Sequence, residues 1–144
     1  MLSLGELDVF LRLGAAVLAG ALIGIDREIR DKPAGLRTIT LVSLGSAVFT
    51  LTALEPELDA TSRVIQGIIT GIGFLGAGTI VRGRTEQSIR GLTTAASIWL
   101  AAAIGIACAL AYWPLVLTAS GFGLLVLALE GIEPRIKARK AGTK

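Results

Sequence analysis

A run of 39 residues without a charged side chain, Gly91 to Leu129, constrains this chain more than any other feature. An α-helix rises about 1.5 Å per residue and the hydrocarbon core of a bilayer is about 30 Å thick, so one crossing needs about 20 apolar residues. The run is almost twice that length and must turn back on itself. Tyr112 and Trp113, which suit the headgroup level, directly precede Pro114, which can open a new helix. The pattern predicts two membrane-spanning helices joined by a tight turn.

The remainder of the chain repeats this alternation of apolar stretches and short charged loops. Apolar residues make up 53% of the 144 residues and charged residues 17%, a composition typical of membrane proteins. We therefore predict an all-α membrane protein: a compact bundle of about five transmembrane helices in residues 1–132, followed by a basic cytoplasmic tail in residues 133–144. The predicted spans are Val9–Ile25, Thr38–Leu54, Val64–Val81, Leu92–Leu110 and Leu115–Leu129. The first nine residues carry two acids and no basic residue, so the first span is expected to be retained rather than cleaved as a signal peptide.

The basic residues predict the orientation of the bundle. Twelve of the 14 Lys and Arg residues follow span one, span three or span five, and these three positions share one side of the membrane. Arg63 lies on the other side, and Arg12 lies just inside the first span. Short cytoplasmic loops are enriched in Lys and Arg, so we predict an external amino terminus and a cytoplasmic carboxy terminus. Arg12 is expected to reach the interface and to pair with Asp8, which lies four residues earlier on the same helical face.

Several functional classes are disfavoured by the residue types that the chain lacks. It has no histidine and a single cysteine, Cys108, which excludes an internal disulfide and argues against transition-metal binding and histidine-based catalysis. We predict no catalytic residue, no metal site and no cofactor. The formal net charge of +3 is spread over loops and tail rather than over one surface, so nucleic acid is not an expected partner.

Small residues recur at intervals of four and predict close helix contacts, which in lipid depend on backbone approach. The stripes are Ala16, Gly20 and Gly24 in span one, Gly67 and Gly71 in span three, and Ser97, Ala101, Gly105 and Ala109 in span four. Span three also carries Gly73, Gly76 and Gly78, on several faces, so we expect it to be crowded on all sides, with local unwinding as the alternative. Leucine at Gly71 or Gly76 is then expected to overpack the bundle, and Gly91 is included among the packing glycines. The same faces predict a homo-oligomer or a complex with partner membrane proteins.

The cytoplasmic end of the predicted bundle, here called the charged inner mouth, gathers Asp26, Arg27, Glu28, Arg37 and Arg90. Asp26 and Arg27 adjoin the apolar first span, where an uncompensated charge is costly and a partner is expected. A solvated loop is the simpler interpretation of this segment. We predict instead that Asp26 and Glu28 pair with Arg37 and Arg90 across the mouth.

Polar residues at the starts of spans two and four form a related pattern. Thr38, Thr93 and Thr94 are expected to cap free backbone amides. Gly-Leu precedes a threonine in both places, and the two hairpins cross the membrane in the same sense, which predicts a weak parallel repeat.

Together these segments resemble the MgtC/SapB family of bacterial inner-membrane proteins. The resemblance extends from about Leu11 to Leu129 and lies in three motifs, namely Asp26-Arg27-Glu28 with Lys32 to Thr38, Gly71 to Gly78, and Arg90 to Ala96 leading to Trp99. It implies a transmembrane domain associated with magnesium limitation and, in pathogens, with survival inside macrophages. It also implies that the charged inner mouth and the glycines of span three are the family's motif positions.

The resemblance favours one function over two others. Better-studied members are similar to regulators of other membrane machinery, including the proton-driven ATP synthase, and we expect such a role here. The second hypothesis is a transporter or channel for Mg²⁺ or another ion, for which an unwound span three would supply carbonyl oxygens beside Thr70 and Thr79. An enzyme ranks third, because no nucleophile and base pair or phosphate-binding motif is present.

Overall fold

The computed structural model of the chain describes residues 5–54, 58–82 and 89–129. In these ranges it contains five helices and two short strands: α1 (Glu6–Ile29), α2 (Leu36–Thr52), α3 (Leu58–Thr79), β1 (Val81–Arg82), β2 (Ile89–Arg90), α4 (Leu92–Ala109) and α5 (Trp113–Leu129). The strands pair antiparallel between α3 and α4. The predicted all-α architecture of five helices is confirmed, and the two strands are an addition that the sequence did not suggest. The predicted basic tail lies outside the described residues.

Two of the helices, α1 and α4, are long and apolar enough to cross a membrane. The helices α2 and α5 are also apolar, but each has only 17 residues. Large apolar side chains cover the outside of the bundle; Phe10, Phe74 and Leu117 are each more than 70% exposed. A surface of this kind is typical of contact with lipid or with another apolar partner.

The centre of the bundle is formed where α1 and α4 each approach the backbone of α2. A Cβ atom built on Gly24 of α1 would lie 2.8 Å from the Cα of Leu36, and one built on Gly105 of α4 would lie 2.0 Å from the carbonyl oxygen of Ser43. The Ser43 hydroxyl donates a 2.8 Å hydrogen bond to the carbonyl of Ala16. Every residue of the predicted stripes on spans one and four is buried. Both stripes therefore pack inside the chain, as their spacing predicted.

The glycines of α3 do not fit the prediction of a crowded helix. A Cβ atom on Gly67, Gly71, Gly73 or Gly78 would meet nothing within 4 Å. Only Gly76 is buried, beside Ala95 and Trp99 of α4. The helix is also continuous from Leu58 to Thr79, so the alternative of local unwinding is not found there either. A spacing of four places glycines on one face but does not say whether another helix covers that face.

The turn between α4 and α5 lies where the aromatic pair and the proline predicted it. Ala111 adopts a left-handed conformation (φ 56°), and the amide of Tyr112 donates to the carbonyl of Ala107 at 3.0 Å, which closes the end of α4. Pro114 occupies the first turn of α5, where its missing amide hydrogen costs nothing.

Arg12, the charged residue inside the first span, has partners on two helices. Its Nε lies 2.8 Å from Asp8 Oδ2, which confirms the predicted pair. Its Nη1 also donates to the carbonyl of Ala109 at the end of α4. The Arg12 guanidinium therefore pairs with a carboxylate and also donates to a backbone carbonyl at the end of α4.

Candidate functional site

The charged motif Asp26 to Glu28 belongs to the last turn of α1, not to a loop. The sequence placed the end of span one at Ile25, because the apolar stretch stops there, but α1 continues to Ile29. Asp26 pairs with Arg30, four residues later, at 2.9 Å, and Arg27 places a positive charge at the carboxy-terminal end of the helix dipole. Both effects extend a helix beyond its apolar stretch.

Arg27 links the end of α1 to the start of α4. Its side chain is fully buried, and its Nη2 donates a 2.6 Å hydrogen bond to Thr94 Oγ1, 67 residues away in the chain. Thr94 is itself only 2% exposed. Charged hydrogen bonds of this length are among the stronger polar contacts in proteins. Arg27 was predicted as a site residue, but its contact with Thr94 was not.

The predicted pairs across the charged inner mouth are not the ones that form. Asp26 binds Arg30, and Glu28 Oε2 accepts a 2.9 Å hydrogen bond from the amide of Leu36. Arg37 and Arg90 are both exposed. The prediction was wrong because it treated Asp26 and Glu28 as loop residues free to reach across the mouth, whereas the helix directs each of them to a nearer partner.

Glu28 takes the role that the threonines were expected to play. Its carboxylate binds the first amide of α2, and a Cβ atom on Gly35 would lie in direct conflict with that carboxylate. Neither α2 nor α4 has a side-chain cap from its own N-cap residue, which is Gly35 and Gly91 respectively. Thr94 binds Arg27 instead, while Thr38 and Thr93 are exposed. The predicted capping by threonine is therefore not found at these helix starts.

Gly91 is required by the backbone turn before α4 as well as by close packing. It adopts a left-handed conformation (φ 92°), and a Cβ atom there would lie 1.9 Å from the carbonyl oxygen of Thr79. Any other residue would be strained in this conformation and would also clash with the end of α3. Gly91 and Gly35 both precede the first residue of a helix, as the predicted parallel repeat requires. Their backbone conformations differ, however, so this similarity does not test the repeat, which stays a prediction.

A polar pocket of about 510 Å³ lies between the end of α1 and the start of α4, and we call it the α1–α4 pocket. Its lining residues are Arg27, Asp31, Lys32, Pro33, Arg90, Gly91, Thr93 and Thr94. It thus brings together Arg27 and Arg90 of the charged inner mouth with Thr93, Thr94 and Gly91, while Asp26, Glu28, Arg37, Thr38 and the α3 glycines do not line it. Asp31, Lys32 and Pro33 were missed as site residues. Their position within the segment that resembles the MgtC/SapB family was the available signal.

A second, apolar depression of about 800 Å³ runs between α2 and α3, and we call it the α2–α3 groove. Gly45, Gly67 and Gly71 lie along it, between larger apolar side chains such as Phe49 and Leu75. Arg63, which pairs with Asp59, is its one charged lining residue. Among the described residues, no group of three or more Asp, Glu, Cys or His side chains could hold a metal ion.

Comparison with known proteins agrees with the motifs in these helices. The model of the MgtC family matches residues 13–134, which is most of the chain. The chain belongs to the MgtC family. Its matched region contains the α1–α4 pocket, the α2–α3 groove and all five helices except the first seven residues of α1.

Several MgtC-family relatives are similar in sequence. Protein SrpB of Synechococcus elongatus is 42% identical over 135 residues, which cover 85% of this chain and 74% of that protein. Protein MgtC of Salmonella typhimurium is 49% identical over 100 residues, or 69% of this chain and 42% of the relative. Protein MgtC of Brucella abortus is 45% identical over 97 residues, or 67% and 40%. The match thus spans less than half of each of these two MgtC proteins. No solved structure matches the chain.

Proposed function

We propose that this protein is a small regulator in the bacterial inner membrane, which binds a transmembrane helix of another membrane protein in the α2–α3 groove and acts in magnesium homeostasis or stress adaptation. Membership of the MgtC family and the name of its relatives support the link to magnesium. Under this proposal all five helices cross the membrane, although α2, α3 and α5 are shorter or less apolar than α1 and α4.

The openness of the α3 glycines is the observation that carries the proposal. On α1 and α4 the small residues are buried, with Gly24 and Gly105 directly against α2, whereas Gly67 and Gly71 on α3 border an open groove. Helices in lipid associate through close backbone contact along such residues. A partner helix packed along α3 would make on this face the close backbone contact that Gly24 and Gly105 make with α2 inside the bundle. Because Arg63, near one end, is the one charged residue that lines the groove, the groove suits an uncharged helix.

Leucine at Gly71 is the direct test. The site has room for a side chain in the isolated protein, so we expect Gly71→Leu to keep the wild-type melting temperature in detergent, in contrast to the sequence-based expectation of overpacking. The new side chain would occupy the groove, so the variant should fail to restore growth at low Mg²⁺ to a host strain lacking its own copy. Gly121→Leu on α5 is the matched control, because Gly121 is also exposed and open, and it should restore growth.

Photocrosslinking in the membrane identifies the occupant of the groove. A photoreactive residue at position 71 should crosslink to a distinct membrane protein whose amount changes with Mg²⁺, and one at position 121 should not. If Gly71→Leu supports growth as well as the wild type does, the groove is not the regulatory surface. Crosslinks confined to a second copy of the chain would replace a foreign partner with a homo-oligomer.

Ion transport remains the alternative. The acids Asp26 and Glu28, at the end of α1, each have one carboxylate oxygen engaged, by Arg30 and by the Leu36 amide respectively. Saturable Mg²⁺ uptake by vesicles that contain only this protein would favour transport over regulation.

The proposed orientation places the amino terminus and the α4–α5 turn outside. Cys108 is fully buried and should resist thiol reagents in the folded protein. With Cys108 replaced by serine, we expect a cysteine at exposed Tyr112 to react with a membrane-impermeant reagent in intact cells, and a cysteine at Lys137 to react only after the cytoplasmic face is opened. The reverse labelling pattern would invert the topology.

A further inference from the structure

We propose that the transmembrane helix which binds in the α2–α3 groove carries a serine or threonine near the middle of the membrane, and that the hydroxyl of this residue forms a hydrogen bond with the hydroxyl of Ser46. The inference rests on the proposed function, because it concerns the chemistry of the helix that binds in this groove. It names the feature that distinguishes the partner helix from other apolar helices in the bilayer.

The first observation is the hydroxyl of Ser46, a buried residue on the α2 wall of the groove. Ser46 is 4% exposed and lines the α2–α3 groove. It is one of three buried hydroxyl residues of α2. The other two have partners, since Ser43 donates a hydrogen bond to the carbonyl of Ala16 and Thr50 donates one to the carbonyl of Ser46. Among the described residues, the Ser46 hydroxyl itself has no hydrogen-bond partner.

Ser46 lies near the middle of the proposed membrane crossing by α2. It follows Leu36, the first residue of the helix, by ten residues. At about 1.5 Å per residue this is about 15 Å along the helix, and the hydrocarbon core is about 30 Å thick. Water is scarce at this depth, so a hydroxyl without a protein partner loses the hydrogen bond that water would give it. A hydroxyl on a neighbouring helix restores that hydrogen bond.

The second observation is the shape of the groove around Ser46. Gly45 precedes Ser46 on α2, and Gly67 and Gly71 line the opposite wall on α3. A Cβ atom on any of these three glycines would meet nothing within 4 Å. A helix can therefore approach both walls closely, which a short hydroxyl side chain needs in order to reach Ser46.

The surroundings of Ser46 select a small and neutral side chain on the partner helix. Its neighbours along the α2 wall are Val42, Gly45 and Phe49, which offer no charge and no side-chain hydrogen bond. A charged group placed there would lose its hydration without gaining a counter-charge. A long side chain would hold the two backbones apart. Serine and threonine are small, and their hydroxyls can both donate to and accept from Ser46 Oγ.

Binding should be measured with two synthetic transmembrane peptides that differ in one residue. Each has about 20 apolar residues, with glycine at every fourth position along one face. The central residue of that face is threonine in one peptide and valine in the other. Both side chains are branched at Cβ, but only threonine has a hydroxyl. Energy transfer between the labelled peptide and the labelled, purified protein in phosphatidylcholine vesicles measures the affinity.

We expect the threonine peptide to bind the wild-type protein about three- to tenfold more tightly than the valine peptide, as one hydrogen bond between membrane helices implies. Ser46→Ala should lower the affinity of the threonine peptide to that of the valine peptide and leave the valine peptide unchanged. Gly71→Leu should abolish the binding of both peptides, because its side chain would occupy the groove.

Ser120→Ala is the matched control. Ser120, on α5, is 9% exposed, and its buried hydroxyl also has no partner within the described part of the chain, but it does not line the groove. Removal of an unpaired buried hydroxyl is neutral or slightly stabilising, so both serine variants should keep the wild-type melting temperature. Only Ser46→Ala should remove the preference for threonine. Ser43→Ala, which loses the bond to Ala16, should melt at a lower temperature.

The outcomes separate this inference from the proposed function. Equal affinities of the two peptides, both abolished by Gly71→Leu, would overturn the hydroxyl contact and leave the groove as a site for a helix. A preference for threonine that Ser46→Ala does not reduce would also overturn the inference, because another residue would then make the contact. Absence of saturable binding by either peptide overturns it as well, whereas growth at low Mg²⁺ and crosslinking from position 71 decide the proposed function.

Discussion

Alanine at Gly105 should remove a large part of the bundle's stability. Its Cβ would lie 2.0 Å from the carbonyl oxygen and 2.9 Å from the carbonyl carbon of Ser43, so α2 and α4 must move apart. Backbone atoms cannot swing away as a flexible side chain can, and overpacking typically costs about 1–3 kcal/mol, sometimes more. The measurement is the melting temperature and the yield of folded protein in mild detergent.

Gly14→Ala on α1 is the control for this substitution. Gly14 also lies within a helix, but a Cβ atom there would meet nothing within 4 Å. Alanine is a better helix former than glycine, by about 1 kcal/mol, so Gly14→Ala should be neutral or slightly stabilising. Equal melting temperatures for the two variants would mean that α2 and α4 are not in backbone contact at Gly105.

The second large effect is expected at Arg27. Arg27→Ala truncates a large, fully buried side chain and removes its hydrogen bond to Thr94, and truncation of large buried side chains costs about 2–5 kcal/mol. Arg27→Lys keeps the charge but loses the planar fork, so it should recover part of the stability and not all of it. Thermal unfolding of the purified variants measures both changes.

Arg37→Ala provides the comparison, because the side chain of Arg37 is exposed and its loss should change stability by less than about 0.5 kcal/mol. If Arg27→Ala and Arg37→Ala melted at the same temperature as the wild type, the link between α1 and α4 through Thr94 would be unimportant for folding.

Features determined by local physics could be predicted from the sequence. The length of the uncharged run required a turn, and Pro114 with its aromatic neighbours located it. The pair Asp8 and Arg12 followed from helical spacing, and the buried stripes of α1 and α4 followed from small residues at every fourth position. Each of these inferences needs only one helix and its period.

Features that depend on which elements meet could not be predicted in the same way. The bond between Arg27 and Thr94 joins residues 67 positions apart, and no local pattern marks it. The predicted pairing across the inner mouth failed because the end of α1 was placed at Ile25, one turn too early. The open glycines of α3 share their spacing with buried ones, so sequence alone could not distinguish a face that meets another helix from one that does not.

The two partners of Arg12 have a consequence for how the chain is made. Ala109 follows Arg12 by 97 residues, so its carbonyl is not yet synthesised when α1 leaves the ribosome. Asp8 lies on α1 itself, and its ion pair with Arg12 can form as soon as that helix exists. The nascent helix therefore reaches the bilayer with its arginine already neutralised, which lowers the cost of insertion. The contact with α4 is added later, as a late step of assembly that joins α1 to α4.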